Sequence, residues 1–578
     1  MDQTRRGLIH SESLFRTLSM SRFLKSQAWR PTGLLMAYGA LTLVWVVLWR
    51  FPVLMADDRF FAIASELPRG QQTWAVIEKM FDDCWRLING RLADGFGTML
   101  FALGNTALRL AMALFYVALT AILWCYLRLS AEALRRPLPR LSLGAGSGAA
   151  WVCWSLAAIW PFTLIGLSTG VAGESVMLMA AVWNYVFPLA LLLFALYPLF
   201  RRWAGRPMPW WAELLSVPLV YVSFLMHELV TVAGAVLVAV ALLTARSRVW
   251  TVPVGLITAS AIVGVYVKFT APGLRARTET YQGIDPVLLT SLRAKAVSAA
   301  MALNLWPQRD LKLLLVLALA LGLAVHMAWR SGRFSTSRAR LLLATLSLMF
   351  LSVLAWLVAN MHFIREQRRV GTTDLDAINN LLGEAIPVLA AAGGFVACTL
   401  VVVFLLPKGF LSPLTTGTLL AAFLTTGAVA YSSSPHYAWV HRTFYMPGIL
   451  AVLVVVMICA DVLSSAGEAT RPETRTTSLL VPVLLVLVGL HSLVVTGTQL
   501  AANWAAWRNV EHQVAAVKAG QQDTVTIPIT LPCSDVMWYF NGSNLERTAH
   551  QWRIYYGLDR DVPVRVRVPE TVHSCPIQ

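Results

Sequence analysis

IPVLAAAGGFVACTLVVVFLL, residues 386–406, carries no charge and little polarity beyond Cys398 and Thr399. A run of about 20 apolar residues is what one helix needs to cross the hydrocarbon core of a bilayer. This run is continuous rather than alternating, which selects a helix over a barrel strand. Similar runs recur outward from it in both directions, at 33–55, 107–127, 149–168, 180–200, 209–226, 228–245, 250–270, 311–329, 341–360, 412–430, 445–463 and 477–497. The chain is therefore expected to be an all-α polytopic membrane protein of about thirteen transmembrane helices. The break at Met226, His227 and Glu228 leaves two readings open: two short helices meeting at a turn, or one long interrupted helix.

Composition agrees. Of 578 residues, 57% are hydrophobic and only 13% are charged, against about a quarter charged in a soluble domain. The net charge of +17 falls in short clusters between apolar runs, which is the pattern of topology signals and not of a nucleic-acid surface. Arg5, Arg6, Arg16, Arg22, Lys25 and Arg30 precede the first span, so residues 1–32 are expected to be cytoplasmic and the first span an uncleaved signal-anchor. With the N-terminus inside, 22 basic residues fall in short cytoplasmic connections and 14 in longer external ones, leaving out the tail. That asymmetry follows the positive-inside rule. A multi-pass protein of a bacterial cytoplasmic membrane with its C-terminus outside is expected.

Three blocks follow: segment 1–32, a transmembrane domain at 33–497 with a long external loop at 57–106, and an external tail at 498–578. Residues 71–88, 92–106 and 287–305 read as helices lying at the membrane surface. The tail opens with a helical stretch at about 499–519, and its alternating runs at 524–530 and 563–568 read as strands. A small external α+β domain is expected there. Cys533 and Cys575 lie in it, and an oxidising compartment would allow a disulfide between them; free thiols are the alternative.

The sharpest chemical feature is Met55-Ala56-Asp57-Asp58-Arg59, where the first span ends. Adjacent carboxylates at a membrane edge repel one another and are costly to desolvate, which raises a pKa and suits a general base. A solvated loop start is the plainer reading. Asp82-Asp83-Cys84-Trp85 and Asn89-Gly90-Arg91 follow in the same loop. Trp85 would offer an aromatic platform to a sugar and Arg91 a forked donor to an oxyanion; a surface helix with a glycine turn explains them equally. External positive charge recurs at Arg275 and Arg277, at His362, Arg365 and Arg368, and at His436, His441 and Arg442. Anionic headgroups or neighbouring acids would account for it. Asn184 with Tyr185, and His227 with Glu228, are polar pairs at span ends, where they line cavities or cap helices. Paired carboxylates would suit a divalent cation, but no complete ligand set is present, so no metal or other cofactor is assigned.

The layout, and the pattern Asp57-Asp58 then Trp85…Asn89-Gly90-Arg91, resembles the GT-C superfamily of membrane glycosyltransferases. It is most similar to an uncharacterised bacterial family within it. The tail run His550-Gln551-Trp552-Arg553-Ile554-Tyr555-Tyr556-Gly557-Leu558 also resembles that group. The architecture covers the whole chain and the motifs about a tenth of it. The resemblance implies transfer of a sugar from a polyprenyl-phosphate donor to a cell-surface glycan or other acceptor at the external face. Asp57 or Asp58 would be the base, and Arg91, Arg275, Arg277, Arg365, Arg368 and Arg442 would hold the lipid phosphate. Asp82, Asp83, Trp85, Asn89, Asn184, Tyr185, His227, Glu228, His362, His436 and His441 would shape the sugar and acceptor pocket. The alternatives are a transporter or flippase of a lipid-linked glycan, which would carry charges deep in its spans, and an O-antigen-type ligase or polymerase.

Overall fold

The structure, a computed structural model, describes residues 30–52, 73–102, 105–134, 148–168, 176–244, 250–277, 291–332, 335–370, 380–407, 409–432, 444–466, 472–528 and 545–567. Helices dominate. In chain order they are α1 (Arg30–Leu48), α2 (Trp74–Asp83), α3 (Leu92–Ala102), α4 (Asn105–Ala133) and α5 (Gly148–Leu167). Then come α6 (Met179–Trp203), α7 (Trp210–Met226), α8 (Glu228–Leu243), α9 (Val252–Phe269) and α10 (Leu292–Arg330). The last long helices are α11 (Thr336–Val370), α12 (Leu382–Leu405), α13 (Pro413–Ser432), α14 (Tyr445–Ala466) and α15 (Pro472–Lys518). Strands β1 (Val525–Pro528) and β2 (Val564–Arg567) flank α16 (Leu545–Tyr556).

Among the described residues, ten helices are long and apolar enough to cross a membrane. The other three expected spans coincide with shorter apolar helices, Leu34–Leu48, Trp210–Met226 and Glu228–Leu243. The surface is that of a chain solvated by lipid: Leu35, Leu348, Leu354, Phe404 and Leu480 are all more than half exposed. The bundle has an axis. The most apolar stretch of α14 is 100% buried, against 33% for α11 and α12, so α14 is central and α11 and α12 pack against each other at the periphery.

The open question at His227 is resolved as a hairpin. His227 is extended (φ −153, ψ 138), and the Phe224 ring on α7 packs where a Cβ on Gly234 of α8 would come within 2.6 Å. In a continuous helix those residues would stand about 15 Å apart at 1.5 Å per residue. Gly264 of α9 gives the same ring room from the other side, since a Cβ there would lie 2.8 Å from the Phe224 Cβ. One aromatic wedge thus brings α7, α8 and α9 together next to the His227–Glu228 turn.

Buried polar contacts fix the helix ends. Asp461 of α14 is 0% exposed and accepts from Ser130 Oγ (2.6 Å), the Ser412 backbone N–H (2.9 Å) and Thr415 Oγ1 (2.6 Å). It therefore caps the start of α13 and ties it to α4, satisfying donors that a helix N-terminus leaves open. Arg202 and Glu213 form a two-pronged pair, at 2.9 and 2.7 Å, across the connection from α6 to α7. Arg109, near the start of α4, donates to the carbonyls of Arg50 and Pro52 at the end of α1 and lies 5.1 Å from the Trp504 ring of α15.

Three expected elements differ. The stretch at 287–305 is the first arm of α10, which bends at Asp310 (φ −105, ψ 17) before its apolar arm. The tail helix is no separate element: α15 runs unbroken from the last apolar run through Lys518, over 47 residues. Residues 84–88 form a π-helical turn after α2 rather than its last turn. Both expected strands are present and pair in parallel, with Val525 opposite Val564. Trp552 of α16 is 1% exposed and lies 4.9 Å from the Trp507 ring, so α16 rests on α15.

Candidate functional site

Five cationic or acidic groups converge on the α7–α8 turn. Glu228, the first residue of α8, takes a two-pronged contact from Arg91, whose Nε donates to Oε2 at 2.9 Å and whose Nη2 donates to Oε1. Lys268 near the end of α9 places Nζ 3.8 Å from Glu228 Oε2 and donates to the Gly90 carbonyl. Arg277, in the helical turn beyond α9, places Nη1 3.7 Å from Glu228 Oε1. Asp94 of α3 accepts from Asn89 Nδ2, and Asn89 Oδ1 in turn accepts from the Arg91 backbone N–H at 3.0 Å. Among the described residues, three cations thus stand with two carboxylates. Burial opposes the charge on Arg91, but the charge of Glu228 and its hydrogen bonds outweigh it and push the guanidinium pKa up. Arg91 is a permanent cation here.

Local backbone geometry places these groups. Gly90 adopts φ 65, a region that disfavours side chains, and a Cβ there would lie 2.9 Å from the Ala271 Cβ. Across the contact, a Cβ on Gly273 would meet Gly90 N and Trp85 O at 2.6 Å, both of them backbone. Glycines on both sides let the Asn89–Arg91 turn seat directly on the chain leaving α9, with Gly90 O above the Lys268 ammonium. The wedge at Phe224 sets the height of Lys268 against the α7–α8 turn.

His227 completes the cluster. It is 1% exposed, its Nδ1 accepts from the Leu229 backbone N–H at 3.1 Å, and it caps α8. Its ring packs 4.7 Å from the Tyr185 ring, which meets Tyr445 edge-on at 5.3 Å. Tyr185 and Asn184 belong to a second π-helical turn, Val182–Val186. Such turns insert one extra residue and are frequent at functional sites. Here one of them carries Asn184 and Tyr185, and the other immediately precedes Asn89-Gly90-Arg91. Asn184 Nδ2 donates to the Ala180 carbonyl at 3.0 Å, and its Oδ1 is buried without a partner among the described residues.

The expected site residues divide accordingly. Arg91, Arg277, Asn89, Tyr185, His227 and Glu228 belong to one cluster. Arg91, expected to face a phosphate, makes a two-pronged contact with Glu228, and both ends of the Asn89 side chain are engaged in holding the turn. Asp82 pairs with Arg86 at 2.6 Å in the open. With Trp85, Glu78 and Lys79 it lines a groove along α2 that shares no residue with the cluster. Asp83 is half-buried on the same helix. Arg275 is exposed one residue from Ala276, and Arg365 is exposed on α11. His362 meets Glu384 at 3.0 Å. Asp57, Asp58, His436, His441, Arg442, Cys533 and Cys575 lie outside the described residues, as does the side chain of Arg368.

Lys268 and Asp94 enter the site without having been given a role from sequence. A signal for Lys268 was present: it is the one charge in the apolar run 250–270. Among the described residues no group of three or more His, Cys, Asp or Glu could hold a metal ion. Comparison with protein-family models, with curated proteins and with solved structures finds no match.

Proposed function

We propose that the chain is a GT-C-type glycosyltransferase of a bacterial cytoplasmic membrane, moving a sugar from a polyprenyl-phosphate donor to a cell-surface acceptor on the external face. The observation that carries this reading is the cluster itself. Among the described residues, Arg91, Lys268 and Arg277 gather with Glu228 and Asp94 at one end of a lipid-solvated bundle. An end so charged attracts an anion whose tail can remain among apolar helices, and it stabilises negative charge growing on a departing phosphate. Arg277 and Glu228 have side chains 32% and 21% exposed, so a ligand approaches from their side. In this reading Asp57 or Asp58 takes the proton of the acceptor hydroxyl as the new glycosidic bond forms. Arg109 supports it by gripping the carbonyl of Pro52, five residues before Asp57.

Mass spectrometry of surface glycans and lipid-linked sugars after deletion of the gene is the test. Loss of one sugar substituent, with the lipid-linked donor retained, is the expected result. Accumulation of an intermediate on the cytoplasmic leaflet would replace transfer with transport. In purified protein, full activity in both Asp57→Asn and Asp58→Asn would remove the acidic pair as catalyst.

A further inference from the structure

The turn from α6 to α7 is set by hydrogen bonds and prolines. Gly205 adopts φ 81. Its N–H donates to the Arg202 carbonyl and the Arg206 N–H to the Arg201 carbonyl, both at 2.9 Å. That pattern ends a helix on a left-handed residue and folds the chain back over its last turn. Arg201 Nε then donates to the Arg206 carbonyl at 3.2 Å, so the Arg201 side chain lies along the turn that carries Arg206. Pro207 and Pro209 stiffen the exit to α7.

Arg206 reaches from this turn to α4, with Nη1 3.3 Å from Glu132 Oε1, and Arg128 Nη2 stands 3.8 Å from the same oxygen. Glu213 is 2% exposed and held by both prongs of Arg202. Among the described residues no carboxylate but Glu132 pairs with Arg128, Arg201 or Arg206. The C-terminal ends of α4 and α6 together supply about one further negative charge, and the start of α7 about half a positive one. Among the described residues, three guanidiniums therefore exceed what Glu132 and the helix ends balance. The side chains of Arg128 and Arg206 are 43% and 58% exposed, so a ligand can reach them. The stretch after α4, residues 134–147, holds Arg135, Arg136 and Arg140 and no acid.

The residues that follow specify the partner. Trp210 and Trp211 begin α7 at 70% and 59% exposure, and Leu214 and Leu215 continue the exposed apolar face one turn on. Exposed tryptophans next to arginines mark the level where hydrocarbon meets headgroups. An anion bound here must carry its charge within a helical turn of hydrocarbon, which a phospholipid does and a nucleic acid or a soluble acidic protein does not. α7 has 17 residues, so this end lies about 25 Å from the Glu228 turn, on the opposite face of the bundle.

We propose that Arg128, Arg201 and Arg206 form a headgroup seat for an anionic phospholipid, with its phosphate on the guanidiniums and its tails along the Trp210–Leu215 face of α7. The seat is independent of the sugar transfer proposed above.

Native mass spectrometry of the purified protein tests it, with phosphatidylglycerol and phosphatidylcholine of the same acyl chains and with glycerol phosphate. The native protein should retain phosphatidylglycerol in preference to phosphatidylcholine. The double variant Arg201→Gln/Arg206→Gln should bind phosphatidylglycerol about tenfold or more weakly, as for two lost charge contacts at a membrane surface. Arg338→Gln/Arg340→Gln removes two exposed arginines at the start of α11 and should change binding less than about twofold. An equal loss in that second pair would overturn the seat, since any exposed positive charge would then serve. So would equal retention of phosphatidylcholine. Glycerol phosphate bound as tightly as the lipid would overturn the lipid as occupant. Should Arg201→Gln/Arg206→Gln not fold, phosphatidylglycerol with a photoreactive tail is crosslinked to the native protein in nanodiscs. Label at the end of α6 and the start of α7, displaced by phosphatidylglycerol and not by phosphatidylcholine, upholds the seat; label spread evenly over the lipid-facing helices overturns it.

Discussion

Removing the charge of Glu228 while keeping its shape, as Glu228→Gln, should destabilise the protein by about 3 kcal/mol. Glu228 accepts two charge-assisted hydrogen bonds from Arg91, and its side chain is 21% exposed against 12% for Arg91 and 0% for Lys268. Removing one partner of a buried ion pair costs roughly 3–5 kcal/mol, because the other charge is left without compensation. Partial exposure of Glu228 and the second carboxylate at Asp94 place the value at the low end. The glutamine also turns an N–H toward a guanidinium that can only donate. The assay is reversible unfolding in SDS–detergent mixtures, run as a double-mutant cycle with Arg91→Gln. With Arg91 already neutral, the same change should cost about 1 kcal/mol, leaving a coupling energy of about 2 kcal/mol. A loss below about 1 kcal/mol in the single variant, or costs that simply add, would mean that the cluster is too well solvated to work as described.

Other outcomes follow from the packing and the burial. Gly273→Ala should cost about 1–3 kcal/mol, since its methyl would meet the backbone of Gly90 and Trp85 at 2.6 Å, whereas Gly255→Ala, with nothing within 4 Å, should be neutral or stabilising in the same unfolding titration. Arg109→Ala should raise hydrogen exchange at the end of α1, where it holds the Arg50 and Pro52 carbonyls; Arg109→Lys should not restore protection, because an ammonium lacks the fork that reaches both. Burial pushes the Cys84 thiol up from its ordinary value, with Asp94 and Asp83 adding to the effect. A raised pKa keeps the unreactive neutral form up to higher pH, so Cys84 should resist maleimide from pH 7 to 9 in native protein and react once unfolded in SDS.

How far the sequence reaches is visible in single residues. The run at 386–406 had only one stable solution, because in hydrocarbon a chain must satisfy its own backbone and a helix does so locally. The same local logic located the helices at all thirteen apolar runs and both tail strands. It also singled out Arg91, Asn89, Tyr185, His227, Glu228 and Arg277 as polar groups at apolar boundaries, where their presence needs a reason. Periodicity carries no information on partners, so those six residues came as separate motifs.

Only the tertiary structure decided that they are one site. The Phe224 ring fits between Gly234 and Gly264, Gly90 seats on Gly273, and Glu228 therefore faces Arg91 across 137 positions of sequence. The same packing folds the chain back at His227 and brings in Lys268, whose lone charge in an apolar run is ambiguous until its neighbours are known. Hydropathy is a property of each segment against its solvent, and it fixes which segments are helices. Which helix ends meet depends on side-chain volumes and close backbone approaches between distant segments, and those exist only once the bundle has formed.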